Sequence, residues 1–77
     1  MNIEIKNIVE SLIFASEEEI TSKQIKEVLD GFGQKASVNE IDKTIDILNK
    51  EFAENNKPYS IIKIAGGYQF STRKEFS

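Results

Sequence analysis

Residues 37–72 read SVNEIDKTIDILNKEFAENNKPYSIIKIAGGYQFST, and they carry the clearest structural pattern in the chain. Ser37 and Glu40 have the spacing of a capping box, in which each residue satisfies a main-chain N–H of the other. Apolar residues then recur at steps of three and four, the spacing of one buried helix face; they are Val38, Ile41, Ile45, Leu48 and Phe52. Pro58 cannot continue a helix. The pattern predicts a helix from Ser37 to about Asn55.

The second half of the same stretch predicts a β-hairpin, because two runs rich in β-branched and aromatic residues flank a glycine pair. The predicted strands are residues 60–64 and 68–72. A two-residue loop at Gly66-Gly67 would mix polar and apolar side chains on both faces. A three-residue loop that also includes Ala65 places Ile62 opposite Phe70 and gives one apolar face, which is what fixes register. We therefore predict the three-residue loop, with Gly67 in the left-handed conformation.

Two more helices are predicted before residue 37. The first covers residues 2–16, with Asn2 as N-cap and one apolar face; that face is formed by Ile5, Ile8, Val9, Leu12 and Ala15, with Ile13 at its edge. The second begins with the capping box of Thr21 and Gln24 and ends at Gly31 and Gly33. A short strand at residues 19–20 could join the hairpin. Helix, helix, helix, hairpin is the order of a winged helix, an α+β fold.

Composition excludes most catalytic chemistry. The 77 residues contain no Cys and no His. Disulfides, thiolate or imidazole metal sites and the common hydrolase triads are therefore absent, and we predict no catalytic, cofactor-binding or metal-binding residue. Nothing approaches the roughly 18 consecutive apolar residues of a membrane span, and the N-terminus has no signal-peptide pattern. We expect a cytosolic, non-enzymatic domain.

The net charge of −3 is unevenly distributed. Residues 1–56 carry a net −6 and residues 57–77 a net +3. The helix that would read DNA in a winged helix has five acidic residues against two lysines, an arrangement that repels phosphates. We therefore expect direct DNA contact to be weak or absent. A DNA-binding transcriptional regulator stays open as the alternative, because the C-terminal excess of cations could contact an anion.

Three apolar residues are candidates for a protein interface. Ile3 and Phe14 lie nearly opposite the buried face of the first helix, and Tyr68 follows the hairpin turn. Exposed apolar side chains on a helix suit a partner protein. The alternative for each is structural: Phe14 packs under the hairpin, Ile3 lies at a frayed helix end, and Tyr68 covers one face of the sheet.

Three segments resemble the N-terminal domain of the segregation and condensation protein B (ScpB) family. They are IVESLIFAS at residues 8–16, EIT at 19–21 and AGGYQFSTR at 65–73. Their order and spacing agree with the family over nearly the whole chain. Two departures are small: Glu18-Glu19 stands where the family usually has Gly-Glu or Glu-Pro, and Gln69 stands where a basic residue is common.

This resemblance implies a function that composition alone does not give. Proteins of the family form dimers that bind the kleisin ScpA and join the SMC ATPase in the bacterial condensin complex, which organises and segregates chromosomes. The implied role is that of an accessory subunit in the cytoplasm, associated with the nucleoid. The family also has a second winged-helix domain, so residues 1–77 are expected to form a single domain that is the N-terminal half of a longer protein.

Overall fold

The computed structural model describes residues 4–72 and shows the predicted winged helix. Three helices are followed by a two-stranded antiparallel sheet. Helix α1 spans Ile5–Ala15, α2 spans Ser22–Gly31 and α3 spans Val38–Glu54, while β1 is Tyr59–Ile64 and β2 is Gly67–Thr72. The predicted N-cap Asn2 lies outside the described residues, and Glu4 occupies the N-cap position of α1.

Local hydrogen bonds fix the ends of α2 and α3. Both predicted capping boxes are confirmed; in the first, the Gln24 N–H donates to Thr21 Oγ1 at 3.1 Å and the Thr21 N–H donates to Gln24 Oε1 at 2.9 Å. Gly33 has a φ of +74°, which glycine adopts without a Cβ clash. Its N–H bonds to Asp30 O at 3.0 Å, so α2 ends in a left-handed turn as predicted.

The core lies where the three helices meet the inner face of the sheet, and all of its buried residues are hydrophobic. Four of the five residues predicted for the buried face of α3 lie in this core, namely Ile41, Ile45, Leu48 and Phe52. The fifth, Val38, is 41% exposed. It occupies the first position of α3, at the margin of the helix packing.

The buried face of α1 differs from the prediction at one end. Ile8 and Val9 are buried as expected, but Ile13 is also buried and Ala15 is exposed. The cause is that α1 packs on α3 and also on β2, so its buried arc is wider and is rotated towards the sheet. The spacing of apolar residues along α1 predicts one buried face and does not reveal the additional contact with β2.

The predicted hairpin register is wrong. Ile64 pairs with Gly67 and Ile61 with Phe70, so Ile62 and Phe70 lie on opposite faces. The loop has two residues, Ala65 and Gly66, with φ angles of 51° and 81°. Positive φ at both positions is the mark of a type I′ turn, whose twist matches that of the strands. The left-handed glycine is therefore Gly66 and not Gly67.

Gly67 is needed for a different reason, which is close backbone approach. A Cβ at this position would lie 3.0 Å from Glu19 Cβ and 3.1 Å from the carbonyl carbon of Ile20. Ile20 forms the predicted extra pairing with the hairpin as a single β-bridge; its N–H donates to Tyr68 O at 3.0 Å, and the Tyr68 N–H donates to Ile20 O at 2.8 Å. This bridge and the turn together select the observed register, which leaves Ile62 and Ile64 on the outer face.

Candidate protein-interaction surface

None of the exposed positions of α1 from residue 7 to residue 15 carries a charged side chain. Those positions are Asn7, Ser11, Phe14 and Ala15. The other two helices expose mainly charged residues, which include Lys23, Glu27, Asp30, Glu40, Lys43, Asp46, Lys50 and Glu54. In a chain that is 30% charged, this contrast singles out α1, because charged residues are depleted at the centres of protein interfaces.

A shallow groove of about 300 Å³ lies between α1 and the end of α2. It is lined by Asn7, Ile8, Ser11, Leu12 and Phe32. Phe32 is 61% exposed, because it is the C-cap of α2 and projects beyond the helix packing. We call Asn7, Ile8, Ser11, Leu12, Phe14 and Phe32 the α1 surface. Its mainly apolar groove is suited to receive an apolar side chain from a partner.

Phe14 is the most exposed large hydrophobic residue in the described part of the chain, at 77%. Its ring also packs edge-on against Phe70, with ring centroids 5.8 Å apart. Phe70 is in turn fixed by Phe52 and Tyr59, whose ring centroids lie 5.8 and 5.5 Å from its own. Phe14 therefore contacts the hairpin on one side, as one alternative expected, and faces solvent on the other.

The structure places Tyr68 inside the domain, where its side chain joins three elements. Its hydroxyl donates to Asp42 Oδ1 at 2.7 Å, and the Ser22 hydroxyl donates to the same oxygen at 2.8 Å. Burial, and then the hydrogen bond to Asp42, raise the pKa of Tyr68 to about 12. The hydrogen bonds from Tyr68 and Ser22 hold the pKa of Asp42 below its usual value.

This placement bears on the three candidate interface residues. Tyr68 is only 8% exposed and covers the inner face of the sheet, as its structural alternative expected. A role for Tyr68 in an interface stays a prediction, and only a small part of this residue is accessible to a partner. Ile3 lies outside the described residues. Sequence reasoning missed Phe32, although an aromatic residue between the helix-ending Gly31 and Gly33 is a usable signal of exposure.

The exposed face of α3 does not suit a nucleic acid. Acidic side chains at Glu40, Asp46 and Glu54 stand beside lysines at positions 43 and 50. Lys6 on α1 is paired with an acidic residue of α3, because its Nζ lies 2.8 Å from a carboxylate oxygen of Glu51. Phosphate binding requires a cationic face, and α3 does not provide one.

Two kinds of site are not found within residues 4–72. These residues hold no group of three or more acidic, His or Cys side chains placed to bind a metal ion. In the same range, no helix has the length and apolar character that crossing a membrane requires.

Comparison with known sequences gives two matches of high coverage. Residues 7–77 match the family model of the segregation and condensation complex subunit ScpB. Segregation and condensation protein B of Clostridioides difficile (strain 630) is 32% identical over 74 residues. That alignment covers 96% of this chain and 40% of the relative. The chain therefore spans less than half the length of this curated relative.

Solved structures give the same fold. A conserved hypothetical protein from Chlorobium tepidum aligns with a TM-score of 0.81 and 30% identity, over 94% of this chain and 43% of its own. A dimer of the ScpB N-terminal domain complexed with an ScpA peptide aligns with a TM-score of 0.75 and 28% identity, over 91% of this chain and 76% of its own. ScpB from Mycobacterium tuberculosis, 14% identical with a TM-score of 0.76, is similar in fold. The family match over residues 7–77 and this shared winged helix show that the chain belongs to the ScpB family.

Proposed function

We propose that this chain is a non-catalytic accessory subunit of a bacterial SMC–kleisin complex, in which it binds the kleisin ScpA and pairs with a second copy of itself. One observation carries the proposal. A solved ScpB N-terminal domain that is 28% identical over 91% of this chain is a dimer complexed with an ScpA peptide. The SMC ATPase would be reached through the kleisin, and the chain would act in the cytoplasm, associated with the nucleoid.

The chemistry of the exposed surface supports protein partners. Phe14 and Phe32 project into solvent, and the exposed positions of α1 from residue 7 to residue 15 carry no charged side chain. Aromatic residues are enriched and charged residues depleted in the central part of protein interfaces. A kleisin segment or a second copy of this chain can cover such a surface, whereas a nucleic acid cannot, since its affinity comes largely from phosphate contacts.

The winged-helix fold by itself would also allow DNA binding, and the electrostatics of α3 weigh against it. Glu40, Asp46 and Glu54 are exposed on the helix that would enter the major groove. Each would be brought close to phosphates on docking, at a cost in free energy. The proposed partners are therefore proteins.

Titration of the 77-residue chain with an ScpA segment from the same organism tests this function. We expect saturable binding by calorimetry, with a fixed ratio of kleisin to ScpB chains. A gel-shift assay with random duplex DNA at low salt, run in parallel, should give no shift. A folded chain that ignores the kleisin segment and shifts the duplex would contradict the proposal in favour of a DNA-binding regulator.

A further inference from the structure

We draw no further inference here: the strongest candidate, the apolar surface patch on the outer face of the hairpin where Ile62 and Ile64 are 39% and 43% exposed, carries none, because nothing that the structure shows of residues 4–72 says what covers it.

Discussion

The side-chain amide of Asn49 forms two hydrogen bonds with the main chain of Ile61. Asn49 Nδ2 donates to Ile61 O at 2.9 Å, and the Ile61 N–H donates to Asn49 Oδ1 at 2.7 Å. The amide of an α3 residue thus reproduces the pairing that a neighbouring strand would give to β1. This contact fixes the hairpin to α3 by two side-chain-to-main-chain hydrogen bonds as well as by packing.

The opposite edge of the sheet is held in the same way. Tyr68 on β2 exchanges both of its outward main-chain bonds with Ile20. A two-stranded sheet is at best marginally stable in water without further support. Asn49 on one edge and Ile20 on the other supply that support, and they also occupy edge groups that could otherwise pair with another chain.

Replacement of Asn49 by Leu should destabilise the domain by about 1–3 kcal/mol, because the N–H and C=O of Ile61 would lose their partners in a half-buried place. Urea unfolding followed by circular dichroism measures the difference. Asn49→Asp should fall between the wild type and Asn49→Leu, since a carboxylate accepts from the N–H but donates nothing to the carbonyl. Asn39→Leu, exposed near the start of α3, is the control and should change stability by less than about 0.5 kcal/mol. Equal effects of the two leucine variants would contradict the role of Asn49.

The sequence predicts what depends on local pattern and misses what depends on contacts between distant segments. Both capping boxes and the buried face of α3 follow from spacings of three and four residues, and the structure confirms them. The hairpin register depends on Gly67 meeting Glu19 and Ile20, which are far away in the chain. The alternation of polar and apolar residues within the hairpin contains no information about this contact. The alternation therefore predicted the wrong partner for Ile62.

In the candidate interface, too, the local pattern is predicted by the sequence and the contacts between distant segments are not. The helical spacing placed Phe14 outside the core, and the structure agrees. The groove beside Phe14 forms because Phe32, at the end of α2, lies close to α1. The periodic spacing of apolar residues within one helix does not predict this contact between two helices. The position of Tyr68 after an exposed turn suggests an accessible side chain, but its hydroxyl donates a hydrogen bond to Asp42 inside the domain.

The raised pKa of Tyr68 predicts a loss of stability in alkali. The unfolded chain releases the tyrosine proton near pH 10, whereas the folded chain keeps it until about pH 12. The stabilising contribution is therefore complete below pH 10 and is lost as the pH rises towards 12. In a Tyr59→Phe background the ultraviolet tyrosinate signal comes from Tyr68 alone, and its midpoint should be close to 12.

The matched comparison for this pH effect uses Tyr68→Phe. That variant should be less stable at neutral pH, because Asp42 loses a hydrogen-bond donor. The stability difference between wild type and variant should then shrink between pH 10 and about 12. A difference that stays constant over this range would show that the hydroxyl of Tyr68 is already exposed to solvent.

Leu48 should be among the most sensitive positions in the core. It is 1% exposed in the middle of α3, so Leu48→Ala leaves a cavity and should cost about 2–5 kcal/mol. That is a large share of the roughly 5–15 kcal/mol that keeps a typical domain folded. Ile47→Ala is the control one residue earlier, at a position that is 53% exposed, and its unfolding midpoint should scarcely move. A small shift for Leu48→Ala would show that this face of α3 can relax to fill the space.

Two glycines should respond to the same substitution with opposite signs. Gly31 is the last residue of α2, and a Cβ there meets no atom within 4 Å. Gly31→Ala should stabilise the domain by about 0.4–1 kcal/mol, because alanine restricts the unfolded chain and suits a helix better. Gly67→Ala should destabilise it by about 1–3 kcal/mol, as overpacking does, because its Cβ would press on Glu19 and on the backbone of Ile20. Thermal unfolding of both variants gives the signs, and hydrogen exchange at the Ile20 and Tyr68 amides locates the second effect. A Gly67→Ala variant with wild-type stability and protected amides would mean that residues 19–20 move aside without loss, and the bridge would then not be what holds the hairpin in register.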